Sequence, residues 1–135
     1  MLYEKIGGSG SSSSSYKDID NNSVDYVIGT HVLCSVGGED KIDDILTEIH
    51  RILKPGGKYI FLEHTSVHDK NQFITSLLQR ISSPIFNIIG NGCHFRPLWQ
   101  YMEARTDFHI NLNKFQAEMP ILMMKPHIDG SLMKL

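Results

Sequence analysis

The chain has 135 residues, which is enough for one compact domain and too few for two. Its 41% hydrophobic and 21% charged residues are typical of an ordinary globular protein. The formal net charge is −2 and the lysines and arginines are scattered, so the basic stripe of a nucleic-acid-binding protein is excluded. Two cysteines, Cys34 and Cys93, form neither a CxxC pair nor a disulfide framework, which is typical of a reducing compartment.

Several other classes of segment and site are not predicted. No apolar run reaches the roughly 18 residues of a membrane-spanning helix, and the N-terminus lacks the apolar core of a signal peptide. Any membrane association is therefore expected to come from a segment outside this chain. Residues 7–15, GGSGSSSSS, predict a flexible loop. The histidines form no recognised zinc-binding motif, and we predict no metal site.

The first predicted element is a strand at residues 24–29. Val24, Tyr26, Val27 and Ile28 make a short, nearly continuous apolar run that is rich in β-branched residues. Such a run is typical of a strand buried on both faces, as in a parallel sheet. Gly29 and Thr30 follow at its end.

A helix over residues 39–53 comes next. Six apolar residues fall on one helical stripe: Ile42, Ile45, Leu46, Ile49, Ile52 and Leu53. Acidic residues crowd its first turns and basic residues its last, which complements the helix dipole. Pro55-Gly56-Gly57 predicts a sharp stop.

The segment KYIFLEH, residues 58–64, predicts a second strand. Strand, helix, tight turn and strand make a βαβ unit, whose two strands run parallel. The fold class is therefore α/β with an open sheet. Further along, the patterns predict an amphipathic helix from Phe73 continuing beyond Pro84 and a short helix from Pro97 to about Arg105. The apolar residues of the first helix are expected to pack in the core, and the alternative is that they cap a ligand pocket or touch a membrane. The patterns also predict a strand at 108–115 and a final, antiparallel strand within 125–135.

Ligands of open α/β sheets bind at the carboxyl ends of the parallel strands. His31 and His64 follow the two predicted strands, so both are expected to face one cleft. A neutral imidazole there could take a proton from a nucleophile, although most histidines are structural. Cys34, also at a strand end, is either reactive or, as is commoner, buried and inert.

The order of motifs resembles a known family. It runs from Asp25-Tyr26-Val27-Ile28 through VLCSV and the helix ending in LKPGG to a strand ending in LEH, and reaches KPHIDG near the C-terminus. This order resembles the second half of class I S-adenosylmethionine-dependent methyltransferases. The details are similar to the methyltransferase-like family that methylates alkyl thiols.

The resemblance implies a Rossmann-like sheet of seven strands in the order 3-2-1-4-5-7-6. This chain would be the C-terminal part of that single domain, with parallel strands 4 and 5, a C-terminal antiparallel pair, a remnant of strand 3 at Tyr3–Ile6 and the first two strands missing. It also implies that S-adenosylmethionine is the cofactor, that Gly29, Thr30 and His31 line its methionine end, and that His64 lies beside a small apolar thiol acceptor. His31 and His64 are the candidate catalytic bases.

The chain departs from the family in its first 24 residues, which contain neither the Gly-rich cofactor loop nor the acidic residue that binds the ribose. We therefore expect a truncated domain whose exposed strand edge could self-associate. Two other functions stay open: methyl transfer to an oxygen, nitrogen or carbon acceptor, and a non-catalytic interaction module. By resemblance, the expected location is the cytoplasmic side of the endoplasmic reticulum or lipid-droplet membrane.

Overall fold

The computed structural model describes residues 19–38, 40–68, 71–89 and 94–135. Four strands and three helices follow one another in the order β1 (Val24–Thr30), α1 (Asp40–Ile52), β2 (Leu53–His64), α2 (Phe73–Ile89), α3 (Leu98–Glu103), β3 (Phe108–Gln116) and β4 (Pro126–Lys134). Short 3₁₀ helices lie at Leu33–Ser35 and Leu122–Met124. The predicted Gly/Ser loop at 7–15, the remnant of strand 3, the loop at 90–92 and Cys93 lie outside the described residues.

The four strands form one mixed sheet in the order β1-β2-β4-β3. β1 and β2 are parallel, with Val27 opposite Tyr59 and Thr30 opposite Leu62. β4 is antiparallel to both of its neighbours. The predicted parallel pair and antiparallel final strand are confirmed, and the order equals the 4-5-7-6 half of the sheet that the resemblance implies.

The first residues of β2 bulge out of its ladder with β1. Val24 pairs with Leu53, whereas Tyr26, two residues on, pairs with Lys58, so residues 54–57 leave the ladder. Gly56 has φ +79°, a left-handed conformation that favours glycine. A Cβ on Gly57 would lie 2.9 Å from the Lys54 carbonyl oxygen. The LKPGG motif is therefore explained by a tight turn under β1.

In the described residues, the hydrophobic core lies on one face of the sheet, beneath α1 and α3. The helix stripe predicted from the sequence is confirmed, because the α1 residues Ile42, Leu46, Ile49 and Ile52 are buried. Leu98 and Met102 of α3 are fully buried beside them. These helices pack on Tyr59 of the sheet, together with other buried residues: Leu33, Cys34, Leu53, Phe61, Phe108, Ile128 and Leu132.

The opposite face of the sheet is exposed in the described part of the chain. Tyr26 and Ile28 of β1 are each 62% exposed, and Ile60 of β2 is 40% exposed. The prediction that the first strand is buried on both faces is therefore wrong. α1 and α3 cover only one face, and alternate side chains of each strand point away from them.

Helix α2 presents its apolar side outward. Phe73, Leu77 and Ile81 are 72%, 45% and 63% exposed, whereas Thr75 and Gln79 are buried. The Gln79 side chain donates to the carbonyl oxygens of Thr65 and Met123 and accepts from the Val67 N–H, so the inward face is polar and hydrogen-bonded. The expectation that the apolar residues of α2 pack into the core is wrong. Within the described ranges, no helix combines the length and apolar character that a bilayer crossing requires.

A cluster of charges at the far end of the sheet makes stability depend on pH. Burial lowers the pKa of His50 below its usual 6.5, and the positive charge of Lys134 lowers it further, while Asp107 acts in the opposite direction. Just below pH 6.5 the folded chain therefore binds fewer protons at His50 than the unfolded chain does. The free energy of unfolding is then expected to fall as pH drops through that window.

Urea unfolding of the wild-type chain at about pH 7.5 and about pH 5.5 measures this slope. We expect the His50→Gln variant to show a smaller fall than the wild type. The control is His109→Gln, on the exposed side of β3. Equal slopes in the wild type and His50→Gln would contradict the assignment.

Candidate functional site

Three elements converge at the carboxyl ends of the parallel strands. β1 ends at Thr30 and β2 at His64, and because β4 is antiparallel it begins at this same edge. The His31 N–H donates to the Leu62 carbonyl oxygen at 2.8 Å, which extends the β1–β2 ladder by one step. His127 lies directly opposite His64 in the β2–β4 register. The two predicted strand ends therefore lie at one rim, as the sequence predicts.

A buried carboxylate fixes the segment that follows β1. Glu63 is fully buried, and its oxygens accept hydrogen bonds from the backbone N–H groups of Val32, Leu33 and Cys34 at 2.9, 3.1 and 3.3 Å. These N–H groups open the 3₁₀ helix at Leu33–Ser35, where the positive end of the peptide dipoles favours an anion. Glu63 thus ties the end of β2 to the loop after β1 and orients the rim between them.

The segment 94–97 fastens the same rim from the other side. The Arg96 carbonyl oxygen accepts from the Ser66 N–H and the Thr65 hydroxyl, both at 2.8 Å. Its guanidinium donates to the Val36 carbonyl oxygen at 2.6 Å. The loops after β1 and β2 are therefore held together by backbone groups and two charged side chains, Arg96 and Glu63.

Three imidazoles meet at this rim. The Nε2 atoms of His31 and His127 are 3.2 Å apart, and the His64 and His127 ring centroids are 5.2 Å apart. His31 is exposed, whereas His64 is only 1% exposed and packs edge-on against Phe95 at 4.8 Å. The structure thus joins the two predicted histidines through a third one, and it leaves only His31 open to solvent.

The backbone of His31 has an unusual conformation. Its φ is +52°, in the left-handed region that non-glycine residues seldom adopt. Such a conformation costs on the order of 1 kcal/mol and persists where the surroundings fix it, often at functional positions. The hydrogen bond from the His31 N–H to Leu62 and the anchoring of residues 32–34 by Glu63 provide that support.

Gly29 and Thr30 are the last two residues of β1 and directly precede His31. Thr30 is exposed at the rim. Gly29 has a packing reason of its own, because a Cβ there would lie 2.7 Å from the Tyr59 hydroxyl oxygen. Burial raises the pKa of Tyr59 well above its usual range, and the neighbouring Glu63 carboxylate raises it further, so that phenol stays neutral.

An open cleft of about 630 Å³ lies between α2 and the segment at 94–95. Its walls include Ser66, Gln79, Arg80, His94 and Phe95. Phe95 contacts the His64 ring, so this cleft adjoins the rim on the β2 side. It offers a small molecule both hydroxyl groups and an aromatic face.

The described residues hold no group of three or more histidine, cysteine or acidic side chains arranged to bind a metal. Cys34 is 2% exposed and packs in the core. Its burial favours the inert alternative over the reactive one.

Sequence reasoning missed Glu63 and His127. The acidic residue in FLEH was a usable signal, since a carboxylate at the end of a buried strand needs several donors. His127 gave no comparable signal, because its place beside His31 depends on the antiparallel return of β4 from 96 residues away.

The chain is similar in sequence to known methyltransferases. Residues 10–61 match the family model described as a methyltransferase domain. The chain is 36% identical over 119 residues to thiol S-methyltransferase TMT1B of Rattus norvegicus and 32% identical over 117 residues to thiol S-methyltransferase TMT1A of Homo sapiens. These alignments cover 87% and 84% of this chain but 47% and 45% of the relatives, so the chain spans about half their length.

Solved structures share the fold at low sequence identity. An S-adenosylmethionine-dependent methyltransferase from Methanosarcina mazei superimposes with a TM-score of 0.63 at 17% identity, covering 87% of this chain and 62% of that one. A cyclopropane synthase from Mycobacterium tuberculosis also gives 0.63, at 15% identity, with 84% and 56% covered. With the sheet order and these relatives together, the chain belongs to the class I S-adenosylmethionine-dependent methyltransferases, in the alkyl thiol methyltransferase family, as a part of that fold.

Proposed function

We propose that this chain serves S-adenosylmethionine-dependent methylation of a small apolar thiol, and that it contributes the rim where the methionine end of the cofactor meets the acceptor. The observation that carries the proposal is the junction of the β1 and β2 carboxyl ends, where Thr30 ends one strand, His31 directly follows it and His64 ends the next strand. Relatives named as thiol S-methyltransferases, at 31–36% identity, support the thiol as acceptor.

The groups at the end of β1 fit the polar end of the cofactor. The backbone N–H groups of residues 32–34 are already engaged by Glu63. A hydroxyl at Thr30 and an imidazole at His31 are exposed there and can exchange hydrogen bonds with an amino acid moiety. Gly29 keeps the strand end close to Tyr59 and so sets the position of Thr30.

When bound, S-adenosylmethionine supplies a methyl group on a positively charged sulfur. The chain's own task is to deprotonate the thiol, whose pKa in solution is about 8.5. We assign that task to His31, because its imidazole is exposed at the rim, whereas His64 is enclosed by Phe95 and His127. The His31 imidazole would take the proton of the thiol, and the thiolate so formed would be the nucleophile toward the methyl group that the bound cofactor supplies.

The acceptor would approach from the cleft between α2 and Phe95. The aromatic ring of Phe95 and the edge of Pro84 offer apolar contact, which suits a hydrocarbon chain. Positioning of the thiol sulfur beside the methyl donor supplies much of the rate in such a displacement. On the family likeness alone, we also propose that the working enzyme associates with a membrane.

A non-catalytic interaction module is the second candidate. It is favoured by the exposed apolar side chains on the uncovered face of the sheet, where Tyr26 and Ile28 are each 62% exposed. β1 is also an edge strand of the described sheet. An edge of this kind readily pairs with another chain, which supports self-association as part of this candidate.

Titration with S-adenosylmethionine separates the two candidates. We expect calorimetric heat with a micromolar dissociation constant, and backbone amide shifts at Thr30 and His31 in ¹⁵N-labelled protein. Amides near His109, on the far strand β3, serve as the internal control. Absence of both heat and rim shifts would overturn the proposal and leave the interaction module. In the same assay, transfer of labelled methyl to an alkyl thiol but not to the matching alcohol or amine would identify the acceptor.

A further inference from the structure

The hydrogen bonds of His127 determine where its protons lie. Its Nδ1 is 3.0 Å from the Lys125 carbonyl oxygen. A carbonyl oxygen only accepts hydrogen bonds, so Nδ1 of His127 carries the proton and donates. In the neutral ring, Nε2 of His127 then holds a lone pair and is an acceptor.

The acceptor on His127 in turn determines which nitrogen of His31 carries a proton. Nε2 of His31 lies 3.2 Å from Nε2 of His127. Because the His127 nitrogen accepts, the His31 nitrogen must donate, and the neutral His31 ring carries its proton on Nε2. Its other nitrogen, Nδ1, then carries the lone pair and is the basic atom.

We propose that His127 is a positioning residue, which holds His31 as the Nε2–H tautomer and leaves its Nδ1 to take the proton of the thiol. The catalytic role of His127 rests on the proposed function, whereas the hydrogen bonds that fix the tautomer of His31 are independent of it. The series of hydrogen bonds runs from the Lys125 carbonyl oxygen through His127 to His31. In a catalytic triad, a carboxylate orients the catalytic histidine by accepting a hydrogen bond from it. Here a backbone carbonyl oxygen orients His127 in the same way, and His127 in turn orients His31.

Two features of the surroundings suit this role. His127 is 5% exposed and lies between the rings of His64, at 5.2 Å, and Phe115, at 5.7 Å, so its ring is fixed in orientation. His31 is exposed and has a left-handed backbone conformation, which the hydrogen bond from its N–H to Leu62 supports. When His31 gains the thiol proton, its Nε2–H continues to donate to His127, and the new positive charge is shared with a neutral acceptor.

The direct test uses nuclear magnetic resonance of the ¹⁵N-labelled chain at neutral pH. We expect a scalar coupling across the hydrogen bond between the Nε2 nuclei of His31 and His127, with the proton covalently bound to His31 Nε2 and to His127 Nδ1. Absence of the coupling, or a proton resident on His127 Nε2, would overturn the inference. This readout needs no methyl transfer, so it stands or fails separately from the proposed function.

A matched pair of variants tests the catalytic meaning. The Gln amide oxygen can occupy the place of Nε2, so His127→Gln retains an acceptor for His31, whereas His127→Asn retains only the contact to Lys125. We expect His127→Asn to lower kcat for thiol methylation about 10- to 100-fold with little change in KM. His127→Gln should retain most of the wild-type kcat. His127→Asn should add no further loss to His31→Gln. Equal losses in the Asn and Gln variants, with native-like spectra, would indicate a merely structural role.

Discussion

The Glu63→Ala variant is expected to lose about 4 kcal/mol of its free energy of unfolding, since three backbone N–H groups, two of them buried, lose a charged acceptor. Glu63 is fully buried, and its two oxygens receive the N–H groups of Val32, Leu33 and Cys34. Hydrogen bonds to ionised groups contribute more than neutral ones, and an N–H left without a partner retains its desolvation cost. Urea unfolding followed by circular dichroism measures the change.

The Glu63→Gln variant refines this expectation. One amide oxygen can still accept from Val32 and Leu33, which share the Oε1 atom, but the amide NH₂ then faces the Cys34 N–H. We expect a loss of about 2 kcal/mol, intermediate between the wild type and Ala.

Glu103→Ala is the control for both variants. That carboxylate is 45% exposed and forms a surface ion pair with Lys114, so its removal should cost less than about 1 kcal/mol. A Glu63→Ala variant no less stable than Glu103→Ala would show that the carboxylate does not anchor the rim.

The fold was predictable from the sequence where local pattern and topology agree. The helical stripe from Ile42 to Ile52 and the LKPGG turn have one consistent solution, because a strand, a helix and a strand joined this tightly must form a right-handed parallel unit. The ligand edge follows from that unit without further information. The rim bearing Thr30, His31 and His64 is therefore predictable from the sequence alone.

The environment of each residue was less predictable, because it depends on distant parts of the chain. The apolar run that includes Tyr26 and Ile28 predicts a strand buried on both faces, yet only one face is covered in the described residues. Phe73 and Leu77 mark an amphipathic helix, but periodicity does not say which side of a helix faces the protein. Here the hydrogen bonds of Gln79 turn the polar side inward.

The site residues also fall into two groups, those predictable from local sequence and those that depend on distant parts of the chain. His31 and His64 were found by their place after a strand, which is a local property. Glu63 and His127 act through partners about 30 and 96 residues away in the sequence. The sequence alone does not bring such pairs together, so the positioning groups emerged only from the structure.

The Gly130→Ala variant is expected to lose about 3 kcal/mol or more, because two separate obstacles coincide at that position. Gly130 has φ +153°, which L side chains rarely adopt. It also pairs with Leu112 in β3, and a Cβ would overlap the carbonyl oxygen of Asn111 on that strand. The methyl group cannot be accommodated unless β3 and β4 separate, and these strands hold one flank of the core.

Two other glycines separate the effect of the positive φ from the effect of the steric overlap. Gly56 has φ +79° but open space around its Cβ position, so Gly56→Ala should cost only about 1–2 kcal/mol. Gly37 shows neither feature, and Gly37→Ala should change the free energy of unfolding by less than about 1 kcal/mol in either direction. Thermal or urea unfolding of the three variants gives the order directly. A Gly130→Ala loss no larger than that of Gly56→Ala would mean that the β3–β4 pair yields to the methyl group, and the close approach of Asn111 would then not be a constraint on the fold.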